Sequence, residues 1–261
     1  MDDVWAEGES YEPYVGRWSR LTARAFLEWL DPAPGSKWID VGCGTGALSH
    51  AILALTQPVR LLGVDRSPGF VAHARRTSPT GRARFAVGDA QALPVGGGRF
   101  DVAVSALVLN FMPRPERMIA EMIRAVRPGG SVALYVWDYA AKMEMIRCFW
   151  DAALELDPAA GALDEAWRFP LCQPDALRAL MANAGLNRIE FEPIDVATVF
   201  GDFADYWSPF LRGQGPAPGY VASLDELARE RLRKELERRL PVATDGSIAL
   251  VARALAVGGR T

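Results

Sequence analysis

Three glycines at alternate positions give the clearest chemical signal in this chain of 261 residues. Gly42, Gly44 and Gly46 follow a short β-favouring run at 38–41, and Ala47 opens a segment whose apolar residues recur at helical spacing. Glycine accepts a left-handed backbone and lets a ligand approach the main chain closely. A strand, a glycine turn and a helix in that order place a ligand at the carboxyl end of the strand.

The acid two positions before the first glycine bears on the choice of ligand. Gly42-x-Gly44-x-x-Ala47 also fits the dinucleotide fingerprint, so NAD(P) is one candidate. The carboxylate of Asp40 would repel a pyrophosphate, whereas it would attract an ammonium or a sulfonium group. S-adenosylmethionine carries both of these cations and no phosphate. Arg66 keeps NADP open as an alternative, because a guanidinium can hold a 2′-phosphate.

Three further motifs follow the glycine turn in a fixed order. After D-V-G-C-G-T-G at 40–46 come G-V-D-R-S at 63–67, G-D-A-Q-A-L-P at 88–94 and R-P-G-G at 127–130. Together they resemble the class I S-adenosylmethionine-dependent methyltransferases, especially the small-molecule branch that includes the ubiquinone and menaquinone biosynthesis enzymes. The resemblance covers roughly residues 38–137, with a looser similarity in the N-terminal Y-E-P-Y-V-G-R-W-S-R. Any one motif is weak, but four in order are specific.

The resemblance implies roles for two acids that follow predicted strands. Asp65 would accept the ribose hydroxyls of the cofactor, with Arg66 beside the adenine. Asp89 would receive the adenine amine, and the backbone N–H of Ala90 would contact a ring nitrogen. On this interpretation Asp89 is buried among apolar residues and needs that donor. The cofactor-binding set predicted in this way is Tyr14, Arg17, Asp40, Gly42, Cys43, Gly44, Gly46, Asp65, Arg66, Asp89, Ala90 and Ser105.

The composition excludes several other classes of protein. A net charge of −3 does not favour binding to nucleic acid. The sequence contains no apolar run of about twenty residues, so no membrane span is predicted. Three scattered cysteines are typical of a reducing compartment, so we expect a cytoplasmic protein. Two histidines without a C-x-x-C pair make a metal site improbable, and none is predicted.

Alternating strand and helix patterns up to Trp137 predict a parallel sheet with right-handed crossovers. The resemblance implies one α/β domain over 1–261, with a Rossmann-like seven-stranded, mostly parallel sheet, an antiparallel last strand and helices on both faces. Strand patterns at 188–196 and 247–257 are separated by roughly fifty residues. Within that stretch Ser223-x-x-Glu226 has the form of a capping box that opens a helix. The apolar stripe of that helix comprises Leu224, Leu227, Leu232, Leu236 and Leu240.

Three segments outside this pattern are rich in aromatic residues. Residues 1–30 are predicted to form an N-terminal helical flap, in which Tyr14 and Arg17 lie near the methionine carboxylate, as the resemblance suggests. The insertions 140–170 and 200–240 are predicted to form a cap that builds the acceptor pocket. The alternative is that the aromatic side chains of all three segments only extend the core of the domain.

No catalytic residue is assigned. Transfer from a sulfonium depends mainly on alignment, and a general base is required only if the acceptor must lose a proton. His50, Asp138 and Tyr139 are the candidates for that base. Ser105-Ala-Leu-Val replaces the Asn/Asp-Pro-Pro-aromatic run of adenine methyltransferases, and no cysteine follows a proline, which disfavours nucleic acid acceptors.

The sequence therefore predicts a methyltransferase that uses S-adenosylmethionine and acts on a small, apolar or aromatic acceptor. An NAD(P)-dependent oxidoreductase is the first alternative, although neither Tyr135 nor Tyr139 is followed by a lysine four residues later. A non-catalytic S-adenosylmethionine-binding module is the second. The acceptor, the attacked atom and the oligomeric state stay open.

Overall fold

The computed structural model describes residues 17–78, 81–212 and 215–261. The strands are β1 (Lys37–Val41), β2 (Arg60–Asp65), β3 (Ala83–Val87), β4 (Phe100–Ala106), β5 (Val126–Trp137), β6 (Asn187–Phe200) and β7 (Ile248–Arg260). The α-helices are α1 (Arg17–Leu30), α2 (Ala47–Leu55), α3 (Pro68–Thr77), α4 (Pro115–Ala125), α5 (Glu144–Leu156), α6 (Glu165–Arg168), α7 (Pro174–Asn183), α8 (Phe203–Trp207), α9 (Pro216–Ser223) and α10 (Glu226–Arg239). Short 3-10 helices lie at Leu109–Phe111, Pro158–Leu163 and Ser208–Arg212.

The seven strands form one sheet in the order β3-β2-β1-β4-β5-β7-β6. The first five strands in that order pair in parallel. Strand β7 runs antiparallel to β5, since Gly129 and Gly130 exchange backbone hydrogen bonds with Thr261 while Asp138 donates to Arg253. The predicted mostly parallel sheet with an antiparallel end is therefore confirmed.

The chain folds into two compact units, of which the first carries most of the sheet: Ser19–Val136, Gln173–Ile194 and Ala254–Thr261. Its central strands are buried because they are nearly continuous apolar runs, as parallel strands covered on both faces require. Helix α1 packs through Phe26, whose ring centroid lies 4.9 Å from that of Tyr135. Helix α4 buries Met118, Ile119 and Met122 along one face. We call this part the sheet unit.

The second unit, here the helical unit, contains Trp137–Cys172 and Asp195–Arg253 together with Trp18. Its core is aromatic: Phe149 of α5 stacks on Phe210 with ring centroids 4.6 Å apart. The hydroxyl of the fully buried Tyr206 donates to the carbonyl of Met145 at 2.9 Å. Most of both predicted cap segments belongs to this unit. That the unit covers the transfer site stays a prediction.

Two local expectations in the long insertion are wrong. Helix α10 begins at Glu226 with Asp225 as its N-cap, and the Asp225 carboxylate accepts the N–H of Ala228 at 2.7 Å. Ser223 instead ends α9, where its hydroxyl donates to the carbonyl of Tyr220. Leu227 lies five residues before the buried Leu232, which is about 140° around the helix, so it lies outside the apolar stripe and is 63% exposed.

Candidate functional site

The glycine turn after β1 has the predicted left-handed backbone. Gly42, Gly44 and Gly46 have φ angles of +75°, +53° and +98°. A Cβ on Gly42 would fall 2.4 Å from Cγ2 of Val108, so the turn packs directly against the segment that follows β4. A Cβ on Gly44 would meet no atom within 4 Å, which leaves that stretch of backbone open to a ligand.

The acid at the end of β2 is tied to this turn. Oδ2 of Asp65 accepts the backbone N–H of Gly44 at 2.9 Å, and Oδ1 accepts the N–H of Ser67 at 2.8 Å. The side chain of Asp65 is half-buried, and each oxygen retains capacity for a further hydrogen bond. Arg66 beside it is exposed. The structure thus brings the predicted ribose acceptor and the open glycine backbone together.

Asp40 is the most strongly perturbed acid of the turn. It is fully buried, and its Oδ2 accepts the hydroxyl of Ser49 at 2.6 Å. Oδ1 has no hydrogen-bond partner among the described residues. Burial, with a smaller contribution from the charge of Asp65, raises the pKa of Asp40 to about 7. The hydrogen bond from Ser49 lowers this pKa but does not offset the effect of burial. A nearby cationic group would favour the ionised form of this carboxyl.

Asp89 lies in the turn after β3, but the expectation that it is buried is wrong. The residue is exposed because β3 is an edge strand and the chain turns sharply behind it. Oδ1 of Asp89 accepts the N–H of Gln91 at 2.8 Å, which stabilises that turn. Ala90, between the two, is half-buried.

The side chains of Ser105 and Cys43 are engaged within the protein. The Ser105 hydroxyl is buried and donates to the carbonyl of Val41 at 2.7 Å, linking β4 to β1. Cys43 packs in an apolar cluster with Val71 and Phe85, and burial raises the pKa of its thiol far above the usual range. Cys43 therefore offers a ligand only its backbone.

The two N-terminal members of the predicted set cannot be placed in the site. Tyr14 lies outside the described residues. Arg17 begins α1, but its side chain is likewise outside what the structure describes.

Two further residues at the strand ends were missed by the sequence analysis. Nδ2 of Asn110 and Oε1 of Gln91 are buried without a hydrogen-bond partner in the described chain. Buried polar atoms normally have partners, so these amides are candidates for ligand contacts. The signal for Asn110 was available in the sequence, since it is an amide in the otherwise apolar run that follows β4. Leu107 in the same run has a φ of +60°, which no sequence pattern indicates.

The three candidate bases differ in their surroundings. His50 of α2 lies beside Gly46 with Nε2 3.5 Å from the hydroxyl of Thr77, and burial followed by the charge of His73 lowers its pKa. Asp138 and Tyr139 belong to the helical unit, where Oδ1 of Asp138 accepts the N–H of Ala141 at 3.0 Å. None of these contacts distinguishes a base from a structural side chain.

Residues 17–78, 81–212 and 215–261 contain neither a cluster of metal ligands nor a helix that could span a membrane. No group of three or more potential ligands from His, Cys, Asp and Glu could hold a metal ion there. In the same ranges no helix combines the length and apolar character needed to cross a membrane.

Comparison with known proteins identifies the family of this region. Residues 39–134 match the family model described as a methyltransferase domain. The 2-methyl-6-phytyl-1,4-hydroquinone methyltransferase of Synechocystis is 34% identical over 150 residues, which cover 56% of this chain and 45% of that protein. Ribosomal protein L11 methyltransferase of Burkholderia cenocepacia is 38% identical over 125 residues, covering 46% of this chain and 38% of that protein. The matches thus span less than half the length of either relative.

A solved structure supports the same fold. Phosphoethanolamine N-methyltransferase 2 of Haemonchus contortus, in complex with phosphomonomethylethanolamine and S-adenosylhomocysteine, superposes with a TM-score of 0.58 at 15% identity. The superposition covers 97% of this chain and 57% of that one. Residues 39–134 of this chain therefore match a methyltransferase domain, and the chain shares its fold with a solved methyltransferase.

Proposed function

We propose that this protein transfers the methyl group of S-adenosylmethionine to a small-molecule acceptor. The observation that carries the proposal is the hydrogen bond between Asp65 and the N–H of Gly44 at 2.9 Å. It fixes a carboxylate beside a glycine backbone that is open to a ligand, within a segment that matches the methyltransferase domain.

The residues of this turn fit the cofactor chemically. The resemblance to the family assigns the ribose hydroxyls to Asp65 and the adenine to Asp89 and Ala90. The buried Oδ1 of Asp40, which lacks a partner in the described chain, supplies negative charge for a cationic ligand. Asn110, in the short 3-10 helix that follows β4, adds a buried amide donor that has no partner in the described chain.

Alignment is the main contribution we assign to this chain. Bound S-adenosylmethionine supplies an activated methyl group on a sulfonium, whose departure as a thioether needs no acid. Holding two reactants in line contributes roughly 7–11 kcal/mol to lowering a barrier in well-oriented systems. A side chain that accepts a proton is required only for an acceptor such as a hydroxyl, so we assign no general base.

We propose a small acceptor of apolar or aromatic character. The Synechocystis relative is named for a hydroquinone, which supports such an acceptor. Trp207 and Phe210 are buried in the aromatic core of the helical unit, so they would support the wall of an apolar pocket rather than line it. The net charge of −3 supports neither a nucleic acid acceptor nor an anionic membrane as partner. We further propose a cytoplasmic location, on the basis of cysteine usage.

Labelling of a metabolite extract tests this proposal. The protein would be incubated with methyl-labelled S-adenosylmethionine and a whole-cell extract, whose small-molecule, protein and nucleic acid fractions are separated afterwards, with Gly44→Ala as the binding-deficient control. We expect labelled small products with the parent protein and none with the control. Label that appears only in protein or nucleic acid would contradict the proposed acceptor class. Cofactor binding without any transfer would identify a non-catalytic binding module instead.

A further inference from the structure

A cleft lies in the sheet unit, at the amino ends of the strands. It has a volume of about 800 Å³. Lys37 begins β1, Arg60 begins β2 and Phe100 begins β4. The cleft therefore lies at the amino ends of the strands, whereas the glycine turn lies at their carboxyl ends. Val59, Leu61, Leu62, Arg84, Val95, Gly96, Gly98 and Arg99 complete its lining.

Four basic side chains converge on this cleft. Lys37, Arg60, Arg84 and Arg99 are all exposed. None of the three arginines forms an ion pair or a side-chain hydrogen bond with any residue that the structure describes. This concentration of positive charge stands out in a chain whose net charge is −3.

The carboxylate that contacts the backbone of Lys37 is already engaged. Oδ1 of Asp101 accepts Nε of Arg127 at 2.6 Å, and its Oδ2 accepts the backbone N–H of Lys37 at 2.8 Å. Glu121, which accepts the N–H of Leu93 near the Val95 side of the cleft, is likewise paired with Arg124. Neither acid is free to neutralise the three arginines.

Some arginines outside the cleft are neutralised by nearby acids. On helix α10, Arg233 pairs with Glu230 and Glu237, and Arg238 pairs with Glu235. Exposed arginines on a solvated helix face are thus matched by acids three or four residues away. The arginines of the cleft come from different strands and turns, and no acid in the part of the chain that the structure describes pairs with them.

The walls of the cleft also favour a ligand. Gly98 has a φ of +67°, and a Cβ built on it would meet no atom within 4 Å, so the backbone there is open. Guanidinium groups match phosphate oxygens in a bidentate geometry, and several of them together favour a multiply charged anion. The apolar side chains of Val59 and Val95 offer a surface for an uncharged part of such a ligand.

We propose that this cleft binds a small phosphorylated molecule with two or more phosphate charges, of the class of the nucleoside polyphosphates. Because the strand ends that carry the glycine turn lie at the opposite edge of the sheet, the ligand of the cleft is not the methyl acceptor. The inference is independent of the methyl-transfer proposal, since it rests on separate residues.

Calorimetric titration with sodium tripolyphosphate and with ATP at 0.15 M NaCl tests the proposal. We expect saturable binding to the parent protein, weakened roughly tenfold or more by Arg84→Glu and by Arg60→Glu, since each removes a charge-assisted contact. Arg76→Glu is the matched control, because Arg76 is an exposed arginine of α3 outside the cleft. Thermal denaturation of each variant should give the melting temperature of the parent protein and so report intact folding.

Three outcomes would overturn the proposal. The first is the absence of saturable binding to the parent protein. The second is equal weakening by Arg76→Glu, which would indicate a general charge effect. The third is binding of a long RNA or an acidic peptide with no binding of tripolyphosphate or ATP, which would identify a macromolecular partner.

Discussion

The carboxylate of Asp65 and the backbone N–H of Gly44 are joined by a hydrogen bond of 2.9 Å. The residue that ends β2 thereby holds the turn that follows β1, 21 positions earlier in the chain. The same carboxylate also accepts the N–H of Ser67, the N-cap of α3. Asp65 thus bonds to the turn before α2 and to the N-cap of α3, at the strand ends where the cofactor site is proposed.

Replacement of Asp65 by alanine should weaken binding of S-adenosylhomocysteine by roughly ten- to hundredfold. The variant loses both the anchor of Gly44 and the proposed acceptor of the ribose hydroxyls, and one charge-assisted hydrogen bond is worth about 1.5–3 kcal/mol. Calorimetry measures the affinity. Asp175→Ala, at an exposed carboxylate of the same unit, serves as the control and should bind like the parent. An unchanged affinity in Asp65→Ala would place the site elsewhere.

Alanine at the first two glycines of the turn should separate folding from binding. Gly42→Ala places a methyl group 2.4 Å from Val108 and should lower stability by about 1–3 kcal/mol from overpacking. A left-handed alanine adds about 1–2 kcal/mol of strain at either position. Gly44→Ala has open space, so it should fold with the smaller loss but obstruct the ligand. Thermal denaturation measures the stability loss and calorimetric titration the affinity loss. Equal stability of the two variants, with unchanged affinity in Gly44→Ala, would contradict the prediction.

Asp40 should make cofactor affinity depend on pH. Burial raises the pKa of Asp40 to about 7, and a cationic ligand favours its ionised form. Affinity for S-adenosylmethionine should therefore rise with pH from about 5 to 7, by up to tenfold per pH unit, and level off above the pKa of the free protein. Asp40→Asn should remove that slope. A slope that persists in the variant would assign the titration to another group.

Glu165 of the helical unit should make stability fall as pH rises. It is 2% exposed, accepts the indole N–H of Trp150, and burial raises its pKa to about 7 from a usual 4.5. Between these two values the folded state holds a proton that the unfolded state releases, so the free energy of unfolding should decrease by about 1.4 kcal/mol per pH unit.

Glu165→Gln keeps an acceptor for Trp150 and should flatten that profile in urea denaturation between pH 5 and 7. Asp40, whose pKa is also raised, contributes a slope of the same sign, so Asp40→Asn provides the comparison. Equal profiles for the parent and Glu165→Gln would show that Glu165 is ionised in the folded state.

The sheet was predictable from the sequence because local patterns coincide with the tertiary structure there. Apolar runs such as the one ending at Val41 are flanked by glycine turns, and the order of motifs fixed the topology. The start of α10 was not predictable, since Ser223 and Asp225 are both good N-caps and the choice between them depends on packing. Asp89 was expected to be buried, but nothing in its local sequence revealed that β3 is an edge strand whose turn exposes it.

The basic cleft was invisible in the sequence for a different reason. Lys37, Arg60, Arg84 and Arg99 are 23, 24 and 15 positions apart, and only the parallel order of the strands brings them together. Asn110 did stand out in the sequence as an amide in an apolar run, but only the fold showed that its Nδ2 is buried without a partner in the described chain. Residues whose function depends on convergence of distant segments cannot be read from spacing alone.

The most direct test of the central claim is calorimetric titration of the parent protein with S-adenosylmethionine, S-adenosylhomocysteine and NADPH. Ligands that bind only the folded state also raise its melting temperature, which gives an independent check. We expect S-adenosylmethionine and S-adenosylhomocysteine to bind with one site per chain, and Gly44→Ala and Asp65→Ala to weaken both. NADPH should not bind at the glycine turn, so neither variant should change any binding of NADPH. Binding of NADPH at the glycine turn, with no binding of the adenosyl compounds, would contradict the account.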